Sequence, residues 1–150
     1  MKKIYIGLLA LLILISISCH SSPEKCGPCP LAAIYMLMKV KIVDKTTGAD
    51  LFLSPNSPYK PSDLKVSSSL DPNFQFRVDT VDTDRFLGLP DGQSVTYTLQ
   101  LANLSADHIK IVTGLSSQRC CATTEVKSIM LNDSLVCTIC NPQMELVIKK

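Results

Sequence analysis

The chain has 150 residues, with fifteen basic and thirteen acidic side chains, two histidines, no Trp, four Phe and four Tyr. Lys2 and Lys3 carry two of the positive charges, so the sequence beyond residue 18 is formally neutral, thirteen against thirteen. This balance argues against nucleic acid or an anionic membrane surface as an electrostatic partner, and the scarcity of aromatics argues against stacking sites for bases or sugars. The length suits a single domain that can bury one core.

The first element reads as an export signal. Lys2 and Lys3 give a positive start, and Ile4 to Ile17 is almost wholly apolar. Small residues then close the run in Ser16-Ile17-Ser18-Cys19, the layout of a secretory signal. As a helix these fourteen residues would span roughly 21 Å, short of a bilayer core of roughly 30 Å. Ser16-Ile17-Ser18-Cys19 resembles the lipobox of bacterial lipoproteins, with Ile17 and Ser18 departing from its commonest residues. The resemblance implies cleavage before Cys19 and a diacylglyceryl group on its thiol. It divides the chain into a signal at 1–18, a lipid-anchored tether at 19–30 and a domain at 31–150. Two or more acyl chains hold a protein stably to a membrane. His20 stands where Asp retains some lipoproteins at the inner membrane, which favours an outer-membrane location facing the periplasm. The partners expected are the membrane, through lipid on Cys19, and an envelope protein.

The tether contains Pro23, Pro28 and Pro30 with Cys26 and Cys29. Beyond it, apolar residues alternate. Ile34, Met36, Met38, Val40 and Ile42 share one face, with Lys39 and Lys41 opposite. Leu64-Val66 is a short run, and Phe74, Phe76 and Val78 alternate with Gln75, Arg77 and Asp79. Val95, Tyr97, Leu99 and Leu101 alternate with hydroxyl and amide residues. Further runs follow at Ile109–Ile111, Val126–Leu131, Leu135–Ile139 and Met144–Ile148. Period-two patterning marks strands with one buried face. Turn signals separate them: Asp44 to Gly48, Ser54 to Pro58, Pro90-Asp91-Gly92, and Asn132-Asp133 as a hairpin turn. The pattern predicts an all-β chain, an antiparallel Ig-like or transthyretin-like sandwich of about seven or eight strands.

Ile42-Val43-Asp44-Lys45-Thr46-Thr47-Gly48-Ala49-Asp50-Leu51 is similar to the V-x-D-x-x-T-G-x-x-L opening of carboxypeptidase-regulatory-like modules. These are small transthyretin-like sandwiches common in bacterial envelope proteins. The resemblance covers about ten residues. It implies that Asp44 and Thr47 shape a turn and that Gly48 supplies a positive φ. It carries no catalytic residue. The small-residue segment that usually follows is replaced by Phe52-Leu53-Ser54-Pro55-Asn56.

Besides Cys19, six cysteines remain: Cys26, Cys29, Cys120, Cys121, Cys137 and Cys140. An even number in an exported chain points to structural disulfides. A link from Cys26 or Cys29 to the C-terminal group is favoured, because closing a long loop restricts the unfolded chain most. Cys26-Gly27-Pro28-Cys29 matches the redox motif of thioredoxins, but no buried strand precedes it and an alternating segment follows it. A structural bridge is therefore preferred over a membrane-tethered thiol oxidoreductase. Cys26-x-x-Cys29 and Cys137-x-x-Cys140 also have the spacing of zinc half-sites, although an oxidising envelope favours pairing. Asp79, Asp82 and Asp84 are clustered carboxylates without the glycine and distal Glu of a calcium loop. His108 has no nucleophile motif beside it. No catalytic residue, metal ligand or cofactor is expected. The leading expectation is a non-enzymatic binding or structural envelope module, with the oxidoreductase and the metal-binding protein as alternatives.

Overall fold

The computed structural model describes residues 37–81, 84–116, 122–138, 140 and 144–150. They form nine strands: β1 (Leu37–Val43), β2 (Leu64–Ser68), β3 (Arg77–Val81), β4 (Asp84–Pro90), β5 (Val95–Leu101), β6 (Asp107–Leu115), β7 (Thr124–Leu131), β8 (Ser134–Thr138) and β9 (Glu145–Lys149). Two sheets face each other, with orders β3-β4-β1-β9 and β2-β5-β6-β7-β8. The all-β sandwich is as expected, and the nine strands among the described residues are close to the seven or eight expected. The one correction is that the four-stranded sheet is not wholly antiparallel, because β9 pairs parallel to β1. The signal, the tether and the start of the expected first strand at Ile34 lie outside the described residues.

Alternation sets which face each strand buries. In β1, Met38, Val40 and Ile42 point inward. Their partners in register do the same: Leu89 and Leu87 in β4, Leu146 and Ile148 in β9. From the other sheet come Val95, Tyr97, Leu99 and Leu101 of β5 and Ile109 and Ile111 of β6. In β7 both Val126 and Ile129 are buried although they stand three apart. A strand with period two cannot aim both inward unless one residue is extra. The register supplies it: Val112 pairs with Ser128 and Thr113 with Val126, so Lys127 bulges out.

The turns follow local chemistry. Asp44 Oδ1 accepts the N–H groups of Thr46 and Thr47 at 3.0 and 2.6 Å and the Thr47 hydroxyl at 2.8 Å. These bonds, led by the Thr47 N–H, hold the Asp44 carboxyl below its ordinary range. Gly48 takes φ +71°, which favours a residue without Cβ. The turn expected from residues 44–48 is thus present. Asp50 makes a second such turn, accepting the N–H groups of Phe52 and Leu53 at 2.7 and 2.5 Å. This swings Phe52 and Leu53 into the core, where each is 3% exposed, and Arg85 Nη1 donates to the Leu53 carbonyl at 3.0 Å. Asn132 and Asp133 both have positive φ, 50° and 63°, as a two-residue hairpin turn requires.

Candidate functional site

Among the described residues, three groups of polar side chains are held in defined geometry. The first lies on the outer face of the four-stranded sheet. Lys41 of β1 reaches Asp84 of β4 at 2.8 Å and Glu145 of β9 at 3.1 Å. The hydrogen bond to Asp84, then that to Glu145, raises its pKa. One cation thereby ties three strands. Asp79 and Asp84 share this face, but Asp84 is committed to Lys41, and Asp79 Oδ2 is buried without a partner beside Gly88. Asp82 lies outside the described residues. No group of three or more metal-ligating side chains occurs among the described residues.

The second group sits at the corner where the chain crosses from β4 to β5. Tyr97 is 3% exposed, and its hydroxyl donates to the Pro90 carbonyl at 2.7 Å. That bond folds the corner over the core and buries Asp91, also 3% exposed, leaving its Oδ1 without a partner. Burial pushes the Asp91 carboxyl up to about 6, partly offset by its own backbone N–H. Burial, and then the charge of Asp91, push the Tyr97 hydroxyl up to about 12. A carboxyl raised in the folded state holds its proton more tightly there than in the unfolded chain. Its contribution to stability is therefore intact below about pH 4 and is lost as pH rises through about 6. Asp91→Asn is expected to stabilise the fold by about 1–3 kcal/mol at pH 7, with the gain vanishing below about pH 4. Solvent beside the exposed Gly92 and Gln93 keeps the figure toward its lower end. Denaturant titrations of both forms from pH 4 to 8 measure it, and a pH-independent difference would refute the assignment.

The third group closes the end of the sandwich formed by the start of β6, the β7–β8 turn and the residue after β9. Asp107 stands in the inward frame of Ile109 and Ile111 and is 5% exposed. Lys150 Nζ lies 2.5 Å from Asp107 Oδ2, and both side chains are less than a tenth exposed. The ammonium also donates to the Ser105 carbonyl at 2.6 Å and the Ser105 hydroxyl at 3.2 Å. On the other side, Asn132 Nδ2 donates to Asp107 Oδ1 at 2.9 Å, while Asn132 Oδ1 accepts the His108 N–H at 2.8 Å. A carboxylate thus has an amine on one oxygen and an amide donor on the other. Among the described residues this is the most fully organised polar cluster in the interior.

Of the residues singled out in the sequence, Cys19, Cys26, Cys29, Cys120 and Cys121 lie outside the described residues. Cys137 and Cys140 are joined as a disulfide, with Cα atoms 5.6 Å apart. The bridge sits at the exit of edge strand β8, and the Cys140 N–H donates to the Val126 carbonyl of β7 at 3.2 Å. In this bonded form the pair offers no thiolate to a metal. The pairing leaves Cys120 and Cys121 as the only C-terminal cysteines for a link to Cys26 or Cys29. His108 points outward beside Thr98, whose hydroxyl is 3.1 Å from its Nδ1. An open groove of about 440 Å³ is lined by Leu64, Lys65, Val66, Phe74, Gln75 and Phe76, and it has one titratable side chain, Lys65. No helix among the described residues is long and apolar enough to cross a membrane. Sequence reasoning missed Asp91, Asp107 and Lys150. The signal for Asp107 was present, a charge in the inward frame of an apolar strand. Comparison with family models, with curated proteins and with solved structures finds no match to the chain.

Proposed function

We propose that the chain is an exported lipoprotein, anchored through lipid on Cys19, whose sandwich acts as a non-enzymatic structural or binding module of the cell envelope. The observation that carries this reading is the sequence Ser16-Ile17-Ser18-Cys19 closing a charged and apolar leader. The Cys137–Cys140 disulfide supports it, since such bridges persist in oxidising compartments outside the cytosol. In this reading residues 19–30 link the lipid to the domain, which meets a protein partner in the envelope. His20 after the acylated cysteine favours the outer membrane, with the domain facing the periplasm.

Cys19→Ser is expected to abolish lipidation and processing. The mature wild-type protein should partition with membranes and carry an acylated N-terminal Cys19 by intact-mass analysis. An unmodified mature N-terminus at any other residue would defeat the proposal.

A further inference from the structure

We infer that Lys150 and Asp107 are the two halves of a self-forming amide crosslink, an isopeptide bond between the Lys150 side-chain nitrogen and the Asp107 side-chain carbon. The inference starts from proximity. Lys150 Nζ and Asp107 Oδ2 are 2.5 Å apart, in a site where each side chain is less than a tenth exposed. Neither group is free to leave. Lys150 is fixed by its backbone, its N–H donating to the Val43 carbonyl at 2.9 Å and its carbonyl accepting the Lys45 N–H at 2.5 Å. Asp107 is fixed in the β5–β6 register opposite Leu99. Reactants held in contact this way gain the effective concentration that lets an otherwise slow intramolecular condensation proceed.

The surroundings suit the reaction step by step. Lys150 Nζ passes one proton to Asp107 Oδ2, turning the ion pair into the amine and acid that the condensation consumes. The amine lone pair attacks Asp107 Cγ, and negative charge collects on Oδ1. Asn132 Nδ2 donates to that oxygen at 2.9 Å, within the range at which a fixed donor stabilises a developing oxyanion. The His108 N–H holds the Asn132 side chain in that orientation. A second proton moves from nitrogen to Oδ2, the Cγ–Oδ2 bond breaks, and Oδ2 leaves as water. An ammonium and a carboxylate become one amide and one water, with no oxidant, metal or co-reactant. The Ser105 carbonyl and hydroxyl, already 2.6 and 3.2 Å from Nζ, hold the amine at the carboxyl throughout. The exposed Asn132 turn gives the water an exit.

The product has a structural logic. A buried ion pair carries a desolvation penalty that an amide does not. The bond would join the end of β9 in one sheet to the start of β6 in the other, adding a covalent tie to the apolar packing and the Tyr97–Pro90 hydrogen bond that hold the two faces together. The proposal does not depend on the lipid anchor at Cys19 and is tested separately from it.

The test is protease digestion and tandem mass spectrometry of the purified full chain, unfolded and reduced. The expected result is a branched peptide joining Lys150 to Asp107, lighter by one water than its two linear parts. Lys150→Arg keeps the positive charge but cannot form the amide. It should give only linear peptides, a wild-type far-ultraviolet dichroism spectrum and a lower melting temperature. Asp107→Ala should likewise give only linear peptides. Two outcomes would overturn the proposal. One is linear peptides with unmodified Lys150 and Asp107 from folded wild-type protein, which would leave an ion pair alone. The other is a branched peptide lacking ammonia and mapping to Asn132.

Discussion

Lys150→Met is expected to destabilise the domain by about 3–5 kcal/mol, among the largest effects of any single substitution in the chain. The substitution leaves the Asp107 carboxylate 5% exposed, with Asn132 Nδ2 as its remaining side-chain partner. A buried charge stripped of its counter-ion loses the attraction that offset its desolvation, and the methionine cannot replace it. Asp107→Ala should cost a comparable amount, because the Lys150 ammonium then keeps only the Ser105 oxygens. The double substitution Asp107→Leu with Lys150→Met removes both charges and should cost less than either single change. That non-additivity marks a buried pair and separates it from a surface ion pair, which is worth about 1 kcal/mol or less. Urea unfolding with an unchanged slope is the measurement, since an altered slope would report a change in compactness instead. Lys150→Arg separates charge from covalency: it retains the pairing with Asp107 and removes only the stabilisation due to the amide. If Lys150→Met unfolds within 1 kcal/mol of wild type, the cluster is neither buried nor bonded in solution.

Most of the strands are legible as alternation. Met38, Val40 and Ile42 in β1 and Val95 to Leu101 in β5 read inward and outward as the structure has them. The Asp44 and Asn132 turns are legible too, because a carboxylate capping its own loop and a pair of αL-tolerant residues are local chemistry. What the sequence hides is non-local. β4 carries Phe86, Leu87, Gly88 and Leu89, four buried residues in a row with no alternation. Its outward face is covered as well as its inward one. Lys39 lies over the Phe86 ring, 4.8 Å from its centroid, and the Asp79 carboxylate occupies the space a Cβ on Gly88 would need. Conversely, Phe74 and Phe76 alternate and read as strand, yet the ladder begins only at Arg77. An extended segment that drapes aromatic rings across a core, Phe74 against Tyr97 and Phe76 against Phe52, has the same period as a strand. The parallel β1–β9 pairing joins residues about a hundred positions apart, and no turn signal encodes it. The buried polar groups failed for a related reason. Asp91 in Pro90-Asp91-Gly92 reads as a solvated turn and is buried only because Tyr97 pulls the corner inward. Lys150, in a terminal pair of lysines, is visible as a partner for Asp107 only once β9 lies beside β1.

Leu89→Ala is expected to cost about 2–5 kcal/mol, the other large effect, and it tests the strand that alternation fails to reveal. Leu89 is 0% exposed and sits opposite Met38 of β1, inside the main core cluster. Truncation to Ala removes the transfer free energy of the lost methyl and methylene groups and leaves a cavity. β4 is paired on both sides, to β3 and β1, so its backbone cannot move in to fill that space. The cost should therefore fall in the upper half of the range. Leu135→Ala is the matched control. Leu135 is 58% exposed on edge strand β8, next to a bulge at Val136, and a surface substitution of this kind should stay within about 0.5 kcal/mol. The same chemical change at the two sites should thus differ several-fold in unfolding free energy. Equal small losses would mean that β4 does not lie between β1 and β3 with Leu89 facing the opposite sheet, and the order of the four-stranded sheet would have to be redrawn.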